Sequence, residues 1–392
     1  MTTEERPFPG IDLLRFLCAF SVLCFHYSRI FGGGQHFPAE PFRAELSLLF
    51  DHGDFAVQVF WTISGFIFFW RYADVVVQRA IDARDFFVLR LSRLYPLHLA
   101  TLLVIAVLQL AYARTHSGQE FVTHYNDLSH FLLQLLFVSW TAEKSFNSPI
   151  WSISLELLAY TAFFLCASSV RLNHLRNSAI VATIFALIWS SRALLYFEFS
   201  SCLMLFFIGG LVYTLTRATS MPDPSTRSRA WAKGVRIFCV FNVLAPMANL
   251  LMNNRLAEFY LGEYVNDYCY LVMTPSFLYL LANLPLPGKA GHTAEALGNL
   301  TYASYLIHFP LQVLTVLCLD VAGLPRAVIW NHAGFLGFIG ITFGLSYWVY
   351  HRYERPMQQL IRQRLLARSP RTPPGPAGLD PALLERGTEQ RA

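Results

Sequence analysis

Apolar residues are grouped along the chain in blocks of the length that a membrane-spanning helix needs. Such a helix takes about 17–25 mostly apolar residues. Eleven candidate blocks lie at residues 10–28, 55–70, 96–113, 128–140, 150–170, 178–197, 200–216, 236–252, 267–286, 297–322 and 333–351. The block at 128–140 is shorter than a span requires. The pattern predicts an all-α, polytopic membrane protein.

The basic residues between the blocks predict which loops face the cytoplasm, because cytoplasmic loops carry an excess of Lys and Arg. If 128–140 does not span and the N-terminus is cytoplasmic, 22 basic residues lie inside and 6 outside. If it does span, the numbers become 9 inside and 19 outside. The charge distribution therefore favours about ten transmembrane helices, cytoplasmic N- and C-termini, and a re-entrant or interfacial segment at 128–140.

The composition agrees with a membrane protein. Hydrophobic residues make up 55% of the chain and charged residues only 14%, whereas soluble domains carry about 25% charged residues. A soluble enzyme, a disulfide scaffold and a disordered chain are thereby excluded. The seven cysteines lie in apolar blocks without a CxxC pair, so neither a disulfide framework nor a metal site is predicted. The net charge of +5 comes from short basic clusters between the blocks and indicates topology, not nucleic-acid binding.

The chain divides into one membrane domain and a short tail. The apolar blocks and the loops between them predict a single membrane domain that fills most of the chain. Residues 366–392 are rich in Pro, Gly and charge, which predicts a disordered cytoplasmic tail without a catalytic role.

Three ionisable residues interrupt the first apolar block: Asp12, Arg15 and His26. Such residues are costly within a membrane and are candidates for function. Arg15 and His26 are eleven residues apart, so both point to one side of a helix, roughly 16 Å apart along its axis. Asp12 lies on the same side. The alternative is a structural role, in which Asp12 and Arg15 form an ion pair and His26 has its hydrogen bonds satisfied near the outer interface.

Two further clusters contain candidate functional residues. Arg90 and Arg93 share a helix face just before the third span. They either contact lipid headgroups or form a bidentate fork for phosphate. Glu156 lies about two turns inside the outer end of its span, a depth comparable to that of His26. We expect a partner for this carboxylate, either the imidazole of His26 or another polar group with a structural role.

Six segments, taken in order, resemble acyltransferase family 3, the bacterial integral-membrane O-acyltransferases. The resemblance covers about residues 6–356, and Trp61 and Leu157 depart from residues usual in the family. The matching segments are Arg15 with His26, the FWTISGF block at 60–66, Arg90-Leu-Ser-Arg93 followed by Tyr95-Pro96, Trp151-Ser152 through Glu156, LGNLTYASYLIH at 297–308, and Glu354-Arg355-Pro356.

The resemblance implies a role for each candidate residue. His26 would be the catalytic histidine, acting as a general base for the acceptor hydroxyl or as a carrier of the acyl group. Glu156, the second catalytic residue, would tune the pKa and orientation of His26. Arg90 and Arg93 would hold the phosphates of acyl-coenzyme A at the cytoplasmic face, and Arg15 would guide this donor deeper into the membrane.

The resemblance also implies substrates and a location. Family members transfer acyl groups, most commonly acetyl, to hydroxyls of carbohydrates such as lipopolysaccharide O-antigen and exopolysaccharide. The protein would lie in the bacterial inner membrane, in contact with lipid, with acyl-coenzyme A as a donor substrate and no permanently bound cofactor. It would act alone or pass the acyl group to a separate periplasmic protein. The intramembrane charges alone also allow a proton-coupled secondary transporter, but no paired, Gly- or Pro-broken helices mark one.

Overall fold

Every regular element in the described part of the computed structural model is a helix. The structure describes residues 8–32, 40–116, 127–139, 146–169, 197–220, 226–251 and 265–366, with a few positions between 170 and 196. The main helices are α1 Pro9–Gly32, α2 Arg43–Asp51, α3 Gly53–Val77, α4 Ala83–Thr115, α5 Leu128–Leu135, α6 Ile150–Ser169, α7 Phe197–Ser220, α8 Thr226–Leu251, α9 Thr274–Ala282, α10 Lys289–Val321, α11 His332–Val349 and α12 Arg355–Leu366.

Seven helices in the described ranges are long and apolar enough to cross a membrane. They coincide with seven of the ten predicted spans: α1, α3, α4, α6, α7, α10 and α11 continued into α12. The predicted spans at 236–252 and 267–286 fall on α8 and on the helical stretch that ends with α9. The span at 178–197 lies almost wholly outside the described residues, as does the tail at 366–392. The chain is a multi-pass, all-helical membrane protein.

Helices α1, α4 and α10 run in the same direction through the bundle. Arg15 near the start of α1 donates a hydrogen bond to Thr301 of α10 (3.1 Å), and Tyr302 donates one to the Leu94 carbonyl of α4 (2.5 Å). At the opposite end, His116 after α4 pairs with Asp320 of α10 at 3.2 Å. We refer to the end at which α1, α4 and α10 begin as the arginine end, and to the other as the distal end.

The segment at 128–140 does not span. Its helix α5 has 8 residues, about 12 Å in length, against a hydrocarbon core of about 30 Å. Asp127 caps α5 by accepting a hydrogen bond from the His130 backbone (2.9 Å), and hydrogen bonds from Ser129 and His130 lower the pKa of the Asp127 carboxyl to about 2. The last turn of α5 lies inside the bundle, where the Gln134 carbonyl oxygen is 2.9 Å from Nε2 of His98 on α4.

The packing of α3 against α7 relies on glycine. A Cβ atom added to Gly65 would lie 1.7 Å from the Phe206 carbonyl oxygen, and one added to Gly209 would lie 1.9 Å from that of Thr62. Small residues at helix contacts are typical of membrane bundles because they let two backbones approach closely. This contact positions Ser64, next to Gly65, inside the bundle.

We predict that Gly65→Ala separates α3 from α7 and destabilises the protein by about 1–3 kcal/mol, the usual cost of overpacking. The matched control is Gly337→Ala on α11, where an added Cβ meets nothing within 4 Å. The measurement is the thermal unfolding midpoint of the detergent-purified protein. Equal midpoints for the two variants would show that the α3–α7 contact tolerates a side chain.

Candidate active site

A cavity of about 120 Å³ lies between α1, α3, α4, α6 and α10, towards the arginine end. Three guanidinium-bearing residues line it, namely Arg15, Arg90 and Arg93, together with the carboxylate of Glu156. Most of the remaining lining is aromatic or aliphatic. Four of the five site residues predicted from the sequence therefore meet at one place, although they come from three separate helices.

Arg15 is fixed by two contacts. It pairs with Asp12 at 3.1 Å, one turn earlier on α1, and it donates to Thr301 of α10. The Asp12–Arg15 ion pair that the sequence allowed is thus present. It neutralises only one of the cavity's three guanidinium groups, and the side chain of Arg15 remains 14% exposed.

Arg90 is held by aromatic side chains. Its guanidinium donates a hydrogen bond to the Tyr72 hydroxyl and lies over the rings of Tyr72 and Phe68, at 4.3 and 4.7 Å from their centroids. Such cation–π contacts stabilise a buried cation without neutralising it. The Nε atom of Arg90 is buried and has no hydrogen-bond partner among the described residues. Its charge therefore remains available to an anion in the cavity.

Glu156 lies nearer the arginine end than the sequence predicted. The prediction placed it level with His26, on the assumption that its helix starts at the membrane surface. In the structure the chain is already buried at Asn147, whose side chain donates to the Leu306 carbonyl of α10 (3.1 Å). Two turns of α6 beyond that point bring Glu156 into the arginine-lined cavity, where Ser64 of α3 donates a hydrogen bond to it. Its hydrogen-bond partners are Ser64 and Tyr160, so of the two partners that the sequence left open, the polar group other than His26 is the one present.

His26 lies beyond the lining of the cavity, next to a second histidine. The centroid of its ring is 5.0 Å from that of His308 on α10. Tyr305, one turn before His308, lines the cavity and has its ring centroid 6.0 Å from that of His308. The Tyr305 hydroxyl is 2.7 Å from the Ser152 hydroxyl of α6. Tyr305 thus stands between the arginine-lined cavity and the two imidazoles.

The site has two chemically different parts. The arginine-lined cavity carries an excess of positive charge and suits an anionic ligand or the polar end of one. At about 120 Å³ it is well below the ~300 Å³ of a typical pocket for a drug-sized molecule, so it has room only for a small group. An imidazole in its neutral form has one ring nitrogen that can accept a hydrogen bond or a proton from a hydroxyl group. This combination suits a reaction between a charged donor and a neutral nucleophile.

Three residues near this site carried only weak signals in the sequence. Tyr305 and His308 belong to the LGNLTYASYLIH segment, but the spacing alone did not show which helix they face. Tyr72 was missed, because a tyrosine at the end of a span is common in membrane proteins. Its pairing with Arg90 depends on how α3 packs against α4, which no local pattern reveals.

Comparison with known proteins identifies the family. The model of an acyltransferase domain, that of acyltransferase family 3, matches residues 8–351. The chain belongs to this family, and the multi-pass fold and the match together define the class as that of the membrane acyltransferases. A curated relative, the acyltransferase MdmB of Streptomyces mycarofaciens, is 30% identical over 169 residues, 42% of this chain and 40% of the relative. The aligned part thus spans less than half of that relative. No solved structure matches.

Proposed function

We propose that the protein moves an acyl group, most simply acetyl, from cytoplasmic acyl-coenzyme A to a hydroxyl group of an envelope or extracellular carbohydrate. The observation that carries this proposal is the arrangement along α1. Arg15 lines a cavity rich in arginine, and His26 lies eleven residues further towards the distal end, a rise of about 16 Å. Family membership supports acyl transfer as the class of reaction.

The donor's charge stays at the arginine end. Arg90 and Arg93 bind phosphate oxygens, for which the guanidinium fork is well suited. The flexible arm of the coenzyme then extends past Arg15 and carries the thioester towards His26. Only the acyl group has to cross the middle of the membrane, which avoids the large cost of moving a phosphorylated nucleotide through it.

His26 acts as the general base. The oxygen of the acceptor hydroxyl forms a bond to the acyl carbon, and His26 takes the hydroxyl proton. The carbon–sulfur bond then breaks, and the proton passes to the departing thiolate, so that an ester and free coenzyme A result. Glu156 acts at the cavity and not on His26, since its hydrogen-bond donors are the hydroxyls of Ser64 and Tyr160, which line the cavity. A carboxylate there balances part of the arginine charge and limits where an anion can bind.

We predict that His26→Ala lowers acetyl transfer by about 10²–10⁴-fold, the usual contribution of a general base. Membranes containing the variant are supplied with labelled acetyl-coenzyme A, and label is followed separately into envelope glycan and into protein. His332→Ala, which removes an exposed histidine at the start of α11, is the control and should match the wild type. Normal transfer by His26→Ala would overturn its assignment as the base.

We predict that Arg93→Gln raises the KM for acetyl-coenzyme A by about tenfold, since a charge-assisted hydrogen bond contributes about 1.5–3 kcal/mol. The maximal rate should change less, because the chemistry takes place near His26. Arg364→Gln removes an exposed arginine from α12, which packs against α4, and controls for the loss of charge at the arginine end. An unchanged KM in Arg93→Gln would contradict a role in donor binding.

A further inference from the structure

Two fully buried side chains of α10 have hydrogen-bonding atoms without a partner among the described residues. They are His308 and Gln312, both 0% exposed. The unpaired atoms are Nε2 of His308 and both the amide nitrogen and the amide oxygen of Gln312. Leaving a buried polar atom unpaired is unfavourable, because the atom has lost its hydrogen bonds to water. The two residues are one helical turn apart on the same face of α10, so the three atoms lie close together. Such a group of unpaired atoms indicates a binding site for a polar group.

The hydrogen bond at the other ring nitrogen of His308 defines what this histidine offers. Its Nδ1 lies 3.1 Å from the Ser304 carbonyl oxygen. A carbonyl oxygen can only accept a hydrogen bond, so Nδ1 carries the proton and donates. In the neutral ring Nε2 is then an acceptor with a free lone pair. The amide of Gln312 adds one further acceptor and two N–H donors.

The packing of α1 against α10 places His308 beside His26, with Gln312 one turn further along α10. Gly298 lies against Asp12, where an added Cβ would be 2.7 Å from the Asp12 Cβ. Three residues further along each helix, Thr301 contacts Arg15. The two helices thus run parallel, and their contact further along joins His26, eleven residues beyond Arg15, to His308, seven residues beyond Thr301. His308, one turn before Gln312, has its ring centroid 5.0 Å from that of His26.

The mixture of donors and acceptors favours one class of ligand. A sugar ring presents neighbouring hydroxyl groups, each of which both donates and accepts hydrogen bonds. An anion would meet two acceptor atoms, and an apolar group would leave all three atoms unpaired. A neutral, polyhydroxylated molecule can pair with all of them.

We infer that His308 and Gln312 form the acceptor subsite, which binds a carbohydrate hydroxyl and holds it beside His26. This inference rests on the proposed function and adds the residues that bind its second substrate. The hydroxyl donates to Nε2 of His308 or to His26, while Gln312 binds the neighbouring hydroxyl and fixes the ring. Donor and acceptor thus approach from opposite ends and meet near Tyr305.

The test separates the acceptor side from the donor side. Gln312→Met keeps the length of the side chain and removes its hydrogen bonds, and His308→Leu removes Nε2. His308→Gln restores a polar atom near the position of Nε2. Thr315→Val is the matched control, because the Thr315 hydroxyl already donates to the Leu311 carbonyl of its own helix (2.7 Å). Labelled acetyl-coenzyme A is the probe, and membranes of the native host supply the acceptor.

We expect Gln312→Met and His308→Leu each to lower the maximal rate of transfer to glycan by about tenfold, as the loss of about 1.4 kcal/mol would do. The KM for acetyl-coenzyme A should stay within about twofold of wild type in both. His308→Gln should recover most of the rate, and Thr315→Val should match wild type.

Three results would overturn the inference. They are wild-type rates in Gln312→Met and His308→Leu, a loss of donor affinity that accompanies the loss of rate, and a rate for His308→Gln as low as that for His308→Leu. Absence of transfer by the wild type itself would be a different result. It would overturn the proposed function, and the acceptor subsite with it.

Discussion

The packing of α1 against α10 determines where the candidate catalytic groups lie. The two helices run parallel, and along them Asp12 lies against Gly298, Arg15 contacts Thr301 and His26 lies beside His308. Gly298 is needed at this contact, because a larger residue would collide with Asp12 and move the helices apart. Arg15 thereby faces the Thr301 hydroxyl and His26 faces His308, which is how charged and polar side chains are accommodated inside a membrane bundle.

The distribution of charge along this helix pair matches the two halves of an acyl transfer. At one end the charge of Arg90 is not neutralised, because aromatic rings and a hydroxyl hold its guanidinium and no described carboxylate pairs with it. Neutral or protonatable groups occupy the other end, where His26, His308 and Gln312 provide proton acceptors and amide donors. A phosphorylated donor fits the first environment and an uncharged hydroxyl the second, and Tyr305 lies between them.

Much of this site could be predicted from local spacing. Arg15 and His26 share a helix face because eleven residues make almost a whole number of turns, and Arg90 and Arg93 share one because they are three apart. The depth of Glu156 could not be predicted, since it depends on the buried chain at Asn147 that starts α6 inside the bundle. Nor could Gln312 be found, because its unpaired amide is evident only once α10 is packed inside the bundle. Hydropathy and charge predicted the helical, multi-pass fold, because that fold depends on local composition. Contacts between distant helices do not depend on local composition, so they could not be predicted.

The proposed function requires the donor to bind at the cytoplasmic face while its acyl group is transferred to an acceptor on the opposite side of the membrane. Sealed inside-out and right-side-out membrane vesicles, given labelled acetyl-coenzyme A in the external medium, test it most directly. The account predicts that inside-out vesicles label the glycan they enclose, and that right-side-out vesicles do so only after they are made permeable. Labelling by intact right-side-out vesicles, with none in intact inside-out vesicles, would contradict it.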